Sequence, residues 1–328
     1  MKGKRYIVLA VVIAVAVILA GLVLSPSVQK ETPNTPGSPT SNPSNPGVGG
    51  NVGNYSVPAW DSGDSWTYNV TVGRSGIDTQ DADGSPLLHG WVKEAVAGTE
   101  SNPAGSVYNV TVTASYTLSD SFCSMEDSSS TYRTASVAGY ILYRTSDLAR
   151  VGAAWTLSMN GSYTYENQTF SYVYTASTWT TYAPALALWQ FPLTANASWA
   201  AASNVSVHHR SEALVTYGNH TYTWNRSSNE TFALDLAVRS GSASNVTVPA
   251  GTFGAIPVQV AAGHDDDLSD RVASEVMNVT TSVEMEPSHA LAVLWYSGQV
   301  GNVVKAQATL GRWDDLSLRA DLVAYTYP

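Results

Sequence analysis

The 328-residue chain has one cysteine, five phenylalanines and only 13% charged residues. The charged share is about half that of an ordinary soluble domain. A lone cysteine, Cys123, rules out an intrachain disulfide and any four-cysteine metal site. No cysteine follows the N-terminal apolar run, so the sequence lacks the acceptor for a bacterial-type lipid anchor. Basic residues are scarce too. Four of the 16 (Lys2, Lys4, Arg5, Lys30) precede residue 58, as does one of the 26 acidic residues, Glu31, which leaves 12 against 25 beyond it. Such an acidic surface repels phosphate backbones and excludes nucleic acid as a partner. Helical periodicity is also sparse, and Ala183 to Trp189 reads as a short helix or an apolar connection.

What is present begins with residues 6–24, an uncharged run of Val, Ile, Leu and Ala long enough to span a bilayer as a helix. Lys2, Lys4 and Arg5 precede it, and positive flanks stay cytoplasmic. The expectation is a single-pass signal anchor over 1–25, N-terminus inside, with the lipid bilayer as its partner and the bulk of the chain outside the cell. A cleaved signal peptide is the competing reading. Residues 26–57 are rich in Pro, Ser, Asn, Thr and Gly, with too few apolar residues to build a core, and read as a spacer.

From residue 58 the pattern changes to period-two alternation of apolar and polar residues. It runs through Trp66–Val72, Val107–Thr113, Tyr163–Tyr174, part of Tyr222–Leu236, and Val303–Leu310. Half-buried strands are expected there. The two halves echo one another. Ser65-Trp66 before Asn69-Val70-Thr71-Val72 matches Ser198-Trp199 before Asn204-Val205-Ser206-Val207, and Pro103-Ala104-Gly105 matches Pro249-Ala250-Gly251. Leu142-Tyr143 and Leu294-Trp295 follow in the same order. Repeats are expected over 58–185 and 186–328. In each Pro-Ala-Gly step, proline fixes one φ and glycine permits a positive one, which marks a turn.

Gly63-Asp64-Ser65-Trp66-Thr67-Tyr68, Val248-Pro249-Ala250-Gly251-Thr252-Phe253 and the run from Trp295-Tyr296-Ser297-Gly298 to Lys305 carry a resemblance. They resemble motifs of membrane-anchored archaeal surface proteins and a related bacterial module. The resemblance implies curved antiparallel sheets similar to the half-barrel of lipoprotein carriers. The fold class expected is therefore mainly β, as tandem half-barrel-like sheets after one transmembrane helix. In carrier-type relatives the concave face holds acyl chains.

Asn-x-Ser/Thr sequons begin at Asn54, Asn69, Asn109, Asn160, Asn167, Asn196, Asn204, Asn219, Asn225, Asn229, Asn245 and Asn278. They use twelve of eighteen asparagines where chance gives about four. Glycosylation of an exported domain follows, with Asn69, Asn109 and Asn245 directed away from the core. Asp265, Asp266, Asp267 and Asp270 offer hard oxygen ligands for Ca²⁺, and Asp78, Asp81 and Asp83 resemble a fragment of a calcium loop. Solvated turn carboxylates are the simpler reading of both clusters, so no metal and no cofactor are assigned.

His208, Glu212 and His220 could share a strand face as zinc ligands. No nucleophile elbow, Gly-rich phosphate loop or paired carboxylates stand out. Trp66, Trp91, Trp199 and Trp295 read as core, whereas Trp179 and Trp224 could form one sugar-stacking platform. The function expected is a non-enzymatic, membrane-anchored, glycosylated surface protein that is structural or binds a surface protein or glycan. The alternatives are a carrier for an apolar ligand and an exported hydrolase.

Overall fold

A computed structural model describes residues 54–74, 88–118, 129–165, 168–262, 290–309 and 316–328. The expected membrane anchor, the linker before residue 54, Cys123, Asn167, Asn278 and the acidic clusters at 78–83 and 265–270 lie outside the described residues. Among the described residues no helix is long and apolar enough to cross a membrane.

Among the described residues fifteen strands follow in chain order: β1 (Asn54–Tyr55), β2 (Ser65–Arg74), β3 (Leu88–Asn102), β4 (Gly105–Leu118), β5 (Ser129–Arg144), β6 (Arg150–Tyr165), β7 (Gln168–Leu186), β8 (Leu193–Thr194), β9 (Ser198–Tyr217), β10 (His220–Ser240), β11 (Ser244–Val248), β12 (Gly251–Ala262), β13 (Ala290–Ser297), β14 (Asn302–Thr309) and β15 (Leu316–Thr326). All pairings are antiparallel. β2 to β7 pair in sequence, β7 pairs β9, β9 pairs β10, β10 pairs β12, and β12 to β15 return to β2. Twelve strands thus close one up-and-down barrel, with β11 added beside β12 and β1 paired to β8.

This corrects the expectation of tandem sheets. A half-barrel has two edges whose N–H and C=O groups seek partners, and closure satisfies both. Here six strands, β2 to β7, supply one half of the wall, and six, β9, β10 and β12 to β15, supply the other. The two Pro-Ala-Gly steps occupy matching hairpins, with Asn102 opposite Gly105 and Val248 opposite Gly251. Both glycines have positive φ, +111° and +142°. A second correction falls at Tyr163–Tyr174, which is a hairpin and not one strand, because Tyr165 pairs Gln168. Its signature was a phase flip: tyrosines at 163 and 165, then aromatics at 170, 172 and 174. Ala183 to Leu186 finishes β7, and an apolar connection follows.

Alternation places Trp66, Tyr68, Val70 and Val72 of β2 inside, packed against Leu88, Val92, Val112, Tyr116, Leu157, Val258, Leu294 and Leu318 from the other strands. Three inner aromatics stand opposite glycine on a neighbouring strand: Tyr116 and Gly90, Trp155 and Gly139, Tyr172 and Gly161. A Cβ on Gly90 would sit 2.7 Å from Tyr116 Cδ1, and one on Gly161 2.6 Å from Tyr172 Oη. Glycine there makes room for a ring at the wall. The outer wall carries Thr111, Thr113, Ser115, Ser206, His208, Arg210 and Glu212, all exposed. This polar exterior is the opposite of the apolar band that a lipid-spanning barrel turns outward.

The end bearing the Pro-Ala-Gly turns is closed by an aromatic floor. Trp60 packs against Trp66, Tyr108 and Tyr143 with ring centroids 5.2, 5.1 and 5.9 Å apart. Trp66 Nε1 donates to the Val300 carbonyl at 2.8 Å. Beside this group, Tyr296 is ringed by Tyr55, Trp189 and Phe191. At the opposite end β7, β9 and β10, of 19, 20 and 21 residues, run on together beyond Ala262, the last described residue of β12, which pairs Leu236. This three-stranded stretch, out to the turn before His220, forms a flap.

Candidate functional site

Two places inside the barrel gather polar chemistry, and they differ in access. The first lies just above the floor. Glu94 of β3, Arg150 of β6 and Asn302 of β14 are all buried, alongside Tyr68, Tyr143 and Tyr182. Burial pushes the Glu94 carboxyl well above the usual carboxylate range, against the opposing pull of Arg150 and Asn302. Burial also opposes the Arg150 charge, but the Tyr143 and Tyr182 hydroxyls and Glu94 outweigh it and hold the guanidinium protonated. Arg150 donates to Tyr143 Oη at 3.4 Å and lies 5.7 and 6.0 Å from the Tyr143 and Tyr182 ring centroids. Glu94 Oε1, Arg150 Nε and Asn302 Nδ2 close no hydrogen bond of good geometry. With side chains 0–4% exposed, this cluster is sealed. It bears on stability rather than on any encounter with solvent.

The second place is the inner face of the flap, buried along β7 at Tyr172, Ala176 and Thr178 and open along β10 at Tyr222 and Trp224. Cross-strand register sets its side chains in rows over β7, β9 and β10. From the tip inward these are Tyr172–Val215–Tyr222, Tyr174–Ala213–Trp224, Ala176–Ser211–Arg226, Thr178–His209–Ser228 and Thr180–Val207–Glu230. The next row, Tyr182–Val205–Phe232, enters the packed core. In the first two rows, aromatics on the outer two strands flank a small residue on the middle one. The result is a groove with Tyr172 and Tyr174 on one wall, Tyr222 and Trp224 on the other, and Val215 and Ala213 as floor. The walls rise from strands two spacings apart, about 10 Å. At the tip Phe170 and Tyr217 stack with centroids 4.8 Å apart. Tyr222 and Trp224 lie nearly parallel, 26° and 6.3 Å apart, and remain 54% and 56% exposed.

The inward end of the groove is polar. Tyr174 is raised by burial, opposed by a hydrogen bond to the Ser211 side chain and by nearby Arg226. His209 shares a hydrogen bond with Thr178 Oγ1 through Nδ1, 3.1 Å long. Burial first, then Arg226 and His208, lower the His209 pKa, so the ring is neutral at pH 7. Arg226 and Ser228 are donors and Glu230 an acceptor on the same face. Glu230 is the one carboxylate that the described strands turn into this groove.

The tryptophans divide differently from expectation. Trp66 is buried, Trp199 and Trp295 are half-buried, and Trp91 is 43% exposed on the outer wall. Trp91 pairs Asn69 and Ser115, outward positions, so parity excludes it from the core. Trp179 and Trp224 make no common platform. Trp179 packs on His208 outside, ring centroids 5.2 Å apart, whereas Trp224 faces inward. The His208–Glu212–His220 zinc arrangement is not assembled, and no group of three or more metal-ligating side chains occurs among the described residues. His208 Nδ1 instead bonds Asn229 Oδ1.

Of the ten sequon asparagines described, Asn54, Asn69, Asn160, Asn196, Asn204, Asn219, Asn225, Asn229 and Asn245 are exposed. Asn109 is half-buried, and its Oδ1 is buried without a partner. The groove escaped sequence reading because it depends on the register of three strands. Its traces were Tyr172, Tyr174, Tyr222 and Trp224 spaced by two.

No family model and no curated protein matches the chain. Among solved structures, a candidate lipoprotein from Parabacteroides distasonis ATCC 8503 is similar over 81% of this chain and 96% of its own, at 12% identity and a TM-score of 0.30. A candidate exported protein with YmcC-like fold from Bacteroides fragilis NCTC 9343 covers 81% of this chain and 97% of its own, at 11% identity and a TM-score of 0.25.

Proposed function

We propose that this is a non-enzymatic, membrane-anchored, glycosylated surface protein whose barrel presents the flap groove as its binding face. One contrast carries the reading. The barrel interior is packed, and on the flap β7 stays buried at Thr178, Ala176 and Tyr172, yet facing them on β10 Tyr222 and Trp224 stay half in solvent. Large aromatics left open beside a few convergent polar groups are the usual composition of a binding site. The packed core disfavours carriage of a ligand deep in the lumen. A single groove carboxylate, Glu230, disfavours a paired-carboxylate hydrolase. Nine exposed sequon asparagines support a glycosylated outer wall.

The test is topological. The full chain is expressed in a glycosylating host, and intact cells are treated with protease. The expected result is loss of the barrel from the cell surface, retention of a membrane-embedded N-terminal fragment, and glycan mass on barrel peptides. A barrel protected in intact cells would sink the reading.

A further inference from the structure

We infer that the flap groove binds a saccharide chain, with a pyranose ring held between the Tyr174 and Trp224 walls over Ala213. This rests on the groove being the binding face. A pyranose has an apolar C–H face and a rim of hydroxyls, so it needs a flat apolar surface and polar groups at the edge. The groove supplies both in register. Tyr222 and Trp224 offer nearly parallel rings, and the rows immediately inward offer Arg226, then Ser228, beside Ser211 and His209, which already bond Tyr174 and Thr178.

An acyl chain meets only half of these terms. It would fill the aromatic rows and leave Arg226 and Glu230 partly desolvated without partners. A sugar with equatorial hydroxyls uses both ends: donors at Arg226 and Ser228, an acceptor at Glu230. The neutral His209 ring keeps the polar end from being strongly cationic, so a neutral hexose or N-acetylhexosamine suits it better than a polyanionic glycan.

The experiment uses the full chain in lipid nanodiscs, with chitohexaose, cellohexaose and palmitate as probes and tryptophan emission with calorimetry as readouts. At least one hexasaccharide is expected to bind saturably. Trp224→Ala should weaken it at least tenfold, and because Trp224 is 56% exposed the fold tolerates its loss. Ala213→Phe should abolish binding by filling the floor while leaving the walls in place. Trp179→Ala, on the outer wall, should change affinity less than twofold. Hexasaccharide binding indifferent to both groove variants overturns the assignment. Palmitate binding that depends on Trp224, without hexasaccharide binding, overturns the ligand class but keeps the groove as the binding face. Silence from all three probes overturns the saccharide assignment and leaves the surface location to the protease experiment.

Discussion

Glu94 shows how a single side chain can work against the fold that contains it. Its pKa is raised in the barrel, so the folded state holds a proton that the unfolded chain has released. Stability therefore falls as pH rises above the unfolded glutamate value of about 4.3. Glu94→Gln removes that titration. Denaturant unfolding at pH 5 and pH 8 should show a smaller loss of stability at pH 8 in the variant than in the parent. An equal loss in both proteins would mean that Glu94 stays ionised against Arg150. Gly139 makes a steric counterpart. A side chain there would meet Trp155, with Cβ atoms 2.6 Å apart, and Gly139→Val should cost roughly 1–3 kcal/mol. The unfolding midpoint checks this, and an unchanged midpoint would show that the wall relaxes.

At the scale of strands and turns, the sequence was legible wherever the constraint is local. Period-two alternation located β2, β4 and β14, and the Pro-Ala-Gly steps located two tight hairpins. Gly105 and Gly251 hold positive φ, and nothing lies within 4 Å of a Cβ on Gly105. Any cost of Gly105→Ala is thus conformational, about 1–3 kcal/mol, and Gly105→Asn should recover part of it. Calorimetric melting of the two variants separates this backbone effect from packing. What the sequence hid is non-local. Inward and outward parity cannot be assigned to Trp91 or Trp224 until a strand's partners are known, since one step of register exchanges the faces. The rows that make the groove join residues 172–182, 205–215 and 222–232, and no short window contains them. The buried Glu94 was equally invisible, because Lys93-Glu94 reads as an ordinary charged pair in an alternating strand.

For the whole molecule, the internal echo led to an expectation of two repeats and carried nothing on how two halves of a wall would meet. Twelve strands divide six and six, and each half ends in an edge that the other half completes, at β7 with β9 and at β15 with β2. Residues 58–185 produced alone would expose both edges. Sedimentation should find that piece self-associated, and co-production with 186–328 should give a one-to-one complex. A stable, monomeric half would show that each half closes on itself.

The floor also gives the barrel a direction. Tyr55 packs on Tyr296, and its hydroxyl donates to the Gly254 carbonyl at 3.2 Å, so the chain joins the barrel at the sealed end. The flap projects from the other end. On the proposed membrane-anchored reading, a tether attached below the floor would work like a stalk under a cup, holding the aromatic lip away from the bilayer by the full height of the wall. The groove would then face whatever approaches the cell, and shortening the spacer would change its reach without turning it over.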